Sequence, residues 1–168
     1  NDVTKTISYA GRNVEKIKAI DFYEGAIRPY NIFFDKQNRL WFQSWGPGFP
    51  ELFSYDLKQE KPLLEKINFH SKERGYYETR PFFLQKNGSV WISGLKVLAR
   101  FNETSKQFEF VEMGSNNRHG IDAISIAGMY EDREQNIWIA TGNNVLYLFN
   151  TQEEYFTKIK HINHASGK

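Results

Sequence analysis

Four aromatic residues stand where the sequence is otherwise rich in turn formers and charge. Trp45 and Phe49 lie in SWGPGFPE (44–51), and Tyr76 and Tyr77 in NFHSKERGYYETRP (68–81). A flat ring in such a loop suits the C–H side of a sugar ring. It serves equally well to cap a packed sheet or to meet a protein partner. Arg28 and Arg80 each precede a proline. A guanidinium offers a rigid fork of donors that can grip hydroxyls or a carboxylate. The same residue can instead hold a neighbouring loop carbonyl and leave the proline to pin a strand start. Asn116, Asn117, His119, Asn143 and Asn144 add neutral hydrogen-bonding groups in two further polar stretches.

Catalytic chemistry has a thinner basis. Asp21, Glu24 and Glu51 show no spacing that selects a carboxylate pair for glycoside cleavage. The four histidines, at 70, 119, 161 and 164, form no metal-ligand set, and HINH (161–164) is a weak pair. The chain has no cysteine, which excludes disulfides, thiol catalysis and Cys-based zinc sites. A nucleophile elbow, a phosphate loop and a dinucleotide fingerprint are all missing from the sequence. The expectation is therefore no catalytic residue, no metal and no cofactor. Lys plus Arg exceed Asp plus Glu by 22 to 20, too small an excess to imply a nucleic-acid partner. No run of 18 apolar residues occurs, so no membrane contact is expected of this segment.

The elements that must position these residues are strands. Aromatics make up 16% of the 168 residues, a composition suited to pleated surfaces rather than helices. Trp41, Trp91 and Trp138 recur about fifty residues apart, and their surroundings align. Before each tryptophan lies an apolar run and a polar turn: NIFFDKQNRLW (31–41), PFFLQKNGSVW (81–91) and GMYEDREQNIW (128–138). After each comes LFSYD (52–56), VLARFN (97–102) or VLYLFN (145–150), and then a closing run, LLEKI (63–67), FEFV (108–111) or FTKI (156–159). Each unit reads as four short strands, a to d, joined by Asn, Asp and Gly turns.

Tandem four-stranded units of this length predict an all-β fold, a β-propeller of antiparallel blades. The frame gives a half blade (strands c and d) at 6–20 and blades at 28–67, 79–111 and 125–159, with 160–168 a tail or the start of a further unit. About three and a half blades form an incomplete propeller whose open edges need cover. The expected cover is either the remaining blades of a longer protein or another copy. The three tryptophans, in register, are structural repeat marks packed between blades.

With the units aligned, EDREQNIWIATGNNVLYLFN (131–150) resembles the two-component regulator propeller repeat. LQKNGSVWISGLKVLARFN (84–102) keeps Gly88 but has Gln85 where the repeat has Asp, and the unit at 34–56 has Asn38 for the turn glycine. Such repeats build the periplasmic sensor region of Bacteroidetes hybrid two-component systems. The resemblance implies an extracytoplasmic, non-catalytic sensor that recognises an oligosaccharide and signals to a histidine kinase outside this chain. A protein-interaction platform and a carbohydrate-active propeller enzyme are the other readings.

Antiparallel order places the b–c turns and the d-to-a connections at one end of each blade. The long loops KAIDFYEGAIRP (18–29), NFHSKERGYYETRP (68–81) and EMGSNNRHGIDA (112–123) are all such connections, and SWGPGFPE is a b–c turn. Function tends to sit on long loops held by a rigid scaffold. The candidate ligand residues at this end are Arg28, Trp45, Phe49, Tyr76, Tyr77, Arg80, His119, Asn143 and Asn144.

Overall fold

The computed structural model describes residues 6–10, 17–21, 29–45, 50–56, 58, 78–79, 81–115 and 117–159, and every regular element among them is a strand. The chain divides into two compact units, Asn1–Ser71 and Lys72–Lys168.

In the first unit, β1 (Thr6–Ala10) pairs antiparallel with β2 (Ile17–Asp21). A separate sheet runs β3 (Pro29–Phe34), β4 (Arg39–Trp45), β5 (Pro50–Asp56), each strand antiparallel to the next. Pro29 opens β3, a position where a missing N–H costs no ladder bond. Leu40, Trp41, Phe42, Leu52 and Phe53 are all buried, so β4 and β5 are covered on both faces. Trp41 stacks on Phe33, ring centroids 6.3 Å apart.

The second unit holds two larger sheets. Strands β6 (Glu78–Thr79) and β7 (Phe83–Leu84) both pair with β8 (Val90–Leu95), followed by β9 (Val97–Asn102) and β10 (Gln107–Phe110). The first strand of this sheet is thus split in two. Pro81 lies in the gap and brings no N–H to a ladder. A connection containing β11 (Glu112–Met113) and β12 (Gly120–Ile121), which pair in parallel, leads to the last sheet. That sheet runs β13 (Ile126–Glu131), β14 (Ile137–Thr141), β15 (Leu146–Asn150), β16 (Tyr155–Ile159), antiparallel throughout.

The turns show why these sequences repeat. Asp35, Gln85 and Asp132 each open a turn between the first two strands of a sheet, and the residue three further on is left-handed: Asn38 (φ 61°), Gly88 (φ 98°) and Gln135 (φ 66°). Its N–H donates back to the turn-opening carbonyl at 3.1, 2.9 and 3.3 Å respectively. The turn-opening side chain then accepts the indole N–H six residues on. Trp41 donates to Asp35 Oδ2 at 2.7 Å, Trp91 to Gln85 Oε1 at 2.7 Å, and Trp138 to Asp132 Oδ2 at 2.9 Å. Gln85 therefore does the aspartate's work, but an amide has only one oxygen, and its buried Nε2 finds no partner among the described residues.

Trp91 and Leu98 pack with Ile126, Ile137, Ile139, Tyr147, Phe149 and Phe156 into one core between the two sheets of this unit. Trp91 meets the Phe149 ring edge-on, 5.4 Å between centroids. Trp138 differs from the expectation of burial between blades. It is only half-buried, because it points to the far face of β14, away from Ile137 and Ile139. Glu131, at the end of β13, ties the two sheets together by accepting the Lys86 backbone N–H at 2.7 Å.

Candidate functional site

Pairing Ile126 with Thr141 and Leu146 with Ile159 puts the start of β13, the β14–β15 turn and the end of β16 at one end of the last sheet. The connection between the sheets arrives at this same end and is folded against it. Gly114, with φ 77°, donates its N–H to Ile121 O at 2.9 Å and Ala123 O at 3.1 Å. Gly120 is demanded by space: a Cβ there would lie 2.8 Å from Glu112 O. Asp122 N donates to the Tyr147 hydroxyl at 3.1 Å, Gly142 N to Ser125 O at 2.9 Å, and Lys96 N to Ile124 O at 2.6 Å. The end of the connection is thereby held by turns from both sheets.

These contacts leave an open cleft of about 500 Å³ lined by Gly114, Asp122, Ile124, Ser125, Gly142 and Asn143. Ile124 is 62% exposed, an apolar wall that no neighbour covers among the described residues. Opposite chemistry surrounds it: the Asp122 carboxylate, the Ser125 hydroxyl and the Asn143 amide. Asp122 lies 3.6 Å from Lys158 Nζ, with both side chains about half exposed, a pair too solvated to neutralise the carboxylate's role as an acceptor. The volume falls within the range of small-ligand sites. An apolar wall beside acceptors and a hydroxyl fits a polyol, and the carboxylate disfavours an anion.

Of the residues expected at this end, Asn143 lines the cleft, and Asn144 follows it in the β14–β15 turn without lining it. Asn143 is already employed: its Nδ2 donates to Asp122 O at 3.0 Å, and its Oδ1 accepts the Thr141 hydroxyl at 2.6 Å. Asn144 is exposed and left-handed (φ 61°), and its N–H donates to Thr141 O at 3.1 Å. His119 is held elsewhere. It lines a separate cleft of about 170 Å³ with Trp91, Arg100, Glu109 and Glu154, too small for a sugar ring with its neighbours. Arg28, Phe49, Tyr76, Tyr77, Arg80 and Asn116 lie outside the described residues, as does the side chain of Trp45, whose backbone is paired with Pro50. Sequence reasoning passed over Asp122, Ile124 and Ser125, since nothing local marks a loop residue as the wall of a cleft closed by a turn some twenty residues on.

At the opposite end of the last sheet, Asp132 has a carboxyl held below its ordinary value. Desolvation, the largest single cause, pushes it up, but the hydrogen bonds from the Trp138 indole, the Asn136 backbone and side chain and the Glu134 backbone together outweigh it. Among the described residues no group of three or more His, Asp or Glu side chains is placed to hold a metal ion.

Residues 120–143, from the end of the connection through β14 to the following turn, match the sequence profile of the family described as Two component regulator propeller. No curated protein matches the chain. Among solved structures, one similar fold is the extracellular domain assigned to a one component system of B. thetaiotaomicron, at TM-score 0.59 and 17% identity over 94% of this chain and 20% of that one. A second is the extracellular domain assigned to a hybrid two component system of the same organism, at TM-score 0.56 and 17% identity over 92% of this chain and 20% of that one. A third is virginiamycin B lyase from Staphylococcus aureus, at TM-score 0.54 and 12% identity over 80% of this chain and 42% of that one. The chain thus spans about a fifth of the two B. thetaiotaomicron structures. The fold is a β-propeller assembled from antiparallel blades, and the chain carries a two-component regulator propeller repeat within it.

Proposed function

We propose that this chain is part of a non-catalytic, extracytoplasmic sensor propeller that recognises a neutral oligosaccharide at its connection end and signals to a histidine kinase outside this chain. The observation that carries the ligand class is the cleft in which exposed Ile124 stands beside the Asp122 carboxylate, the Ser125 hydroxyl and Asn143. Apolar C–H faces and hydroxyls are what that set can meet. A ligand rich in uronates is disfavoured by Asp122. The repeat at 120–143 and the similarity to two extracellular domains of signalling proteins support the sensor role. The likeness to a lyase shows that the same fold also hosts enzymes. Within the described cleft, however, Asp122 is the one carboxylate, with no second acid to share a hydrolytic step.

Calorimetry with the whole chain and a panel of neutral and uronate-bearing oligosaccharides tests the reading. A neutral glycan should give heat that Ile124→Ala and Asp122→Ala each reduce about tenfold, in line with losing roughly 1–2 kcal/mol of contact. Binding confined to uronates, or unchanged in both variants, would overturn the neutral-ligand reading. Turnover of a glycan abolished by Asp122→Asn would make the protein an enzyme instead. Heat from a protein partner alone would favour the interaction platform.

A further inference from the structure

The connection between the two sheets also runs beside β16, where the Phe156 N–H donates to Arg118 O at 3.0 Å. Next to this contact lies an open cleft of about 270 Å³, lined by Ser115, Arg118, Gly120, Tyr147, Phe156 and Lys158. It shares no lining residue with the Ile124 cleft, and it has the opposite charge: two cations line it and no carboxylate does. Its donors are underused. Tyr147 is only 3% exposed, and its hydroxyl accepts Asp122 N at 3.1 Å, while the hydroxyl's own proton meets no acceptor among the described residues. Ser115 Oγ accepts Asn117 N at 3.2 Å and likewise keeps its proton to give. The Arg118 guanidinium lies over the Tyr155 ring, 4.2 Å from its centroid, and forms no ion pair among the described residues. A guanidinium held by its face keeps its N–H edge for an acceptor. Lys158 Nζ is 3.6 Å from Asp122 Oδ2, a solvated pair that leaves ammonium donors to spare. The other neighbouring acid, Glu112, already accepts Asn117 Nδ2 at 2.6 Å.

We propose that this cleft binds a tetrahedral oxyanion, a sulfate or phosphate group, as the free ion or as an ester on a larger ligand. The observation that carries it is the buried Tyr147 hydroxyl, whose unspent proton calls for an acceptor beside two cations. Tyr147 and Ser115 donate from their hydroxyls, Lys158 gives a charge-assisted bond, and Arg118 adds the second positive charge. These groups sit on the connection, β15 and β16. Donors spread over separate elements suit a group with oxygens on several sides better than a flat carboxylate. The cleft is too small for an oligosaccharide, so the site is independent of the sugar reading, and either can fail alone.

The test titrates sodium sulfate into the whole chain, against sodium chloride of matched ionic strength, and follows the backbone amides. Sulfate alone should shift Ser115, Gly120, Tyr147 and Lys158 saturably, with a midpoint of about 10 mM or lower. Lys158→Gln and Arg118→Gln should each raise that midpoint about three- to tenfold, the scale of a charge-assisted hydrogen bond. Tyr147→Phe keeps the ring and should raise it about threefold. Ser115→Ala gives the same readout from the second hydroxyl if the Tyr147 variant does not fold. Lys106→Gln, which removes a lysine paired with Glu103 elsewhere on the surface, should change nothing. Equal shifts with chloride, a midpoint indifferent to the Lys158 and Arg118 changes or to loss of the hydroxyls, or equal weakening by Lys106→Gln overturns the site. Sulfate shifts centred on Ile124, Ser125 and Asn143 would put the anion in the other cleft and also contradict the proposal. A monosaccharide sulfate ester then separates the two sources. Binding about tenfold tighter than sulfate, still lost with Lys158→Gln and unmoved by Ile124→Ala, assigns the oxyanion to a ligand substituent, and equal affinity assigns the free ion.

Discussion

At the scale of single residues, the recurring unit is an acceptor that opens a turn and an indole six positions later. Asp35 is its fullest form, accepting from Gln37 N, Arg39 N, Arg39 Nε and Trp41 Nε1, with Arg39 itself buried. Asp35→Ala strands that guanidinium and should cost about 3–5 kcal/mol in denaturant unfolding, whereas a surface contact would cost far less. Gln135 occupies the left-handed slot that glycine fills at Gly88, with φ 66°. Gln135→Gly relieves a strained side chain at some cost in chain entropy, so the midpoint should rise by about 0.5 kcal/mol equivalent. Asp132 makes the acid limb. Its folded pKa is depressed from 3.8, so its stabilisation is present above that value and is lost as pH falls through the folded one. Asp132→Asn should flatten stability against pH in that acidic window, lowering stability at neutral pH and leaving it nearly unchanged below the folded pKa. A wild-type-like acid limb in the variant would show that the indole bond does not set the titration.

At the scale of elements, the strands and their turns were legible because alternation and turn chemistry are local. VLARFN and VLYLFN are the strands their apolar patterns predict, and Asn102 and Asn150 end them by accepting two backbone N–H groups each. Two things escaped. The burial of Trp138 depends on what lies across its sheet, which its own repeat does not encode. The cleft depends on a connection whose hold is long-range, from Asp122 to Tyr147 and Asn143. Gly120 is the hinge of that hold, being within 2.8 Å of Glu112 O if given a Cβ. Gly120→Ala should therefore destabilise by about 1–3 kcal/mol and loosen hydrogen-exchange protection around Gly114–Ala123 before the sheets. Protection lost uniformly across β13–β16 would argue that the connection is not an independent element.

At the scale of the whole molecule, the last sheet of the second unit presents the described connection at one end and an Asx-type turn at the other. The division is consistent with the sensor role proposed above: the turn holds the repeat together, and the connection end carries the cleft. His119 illustrates the limit of reading loops by composition, since it sits with Arg100 and Glu154 at the seam between sheets and not with Asn143. The most direct test is an amide nuclear magnetic resonance titration of the whole chain with a neutral oligosaccharide that gives heat. The account predicts shifts concentrated at Gly114, Asp122, Ile124, Ser125 and Gly142, with the turns at Asp35, Gln85 and Asp132 unmoved. Shifts confined to those turns, or to the Trp91–Arg100 seam, would contradict it.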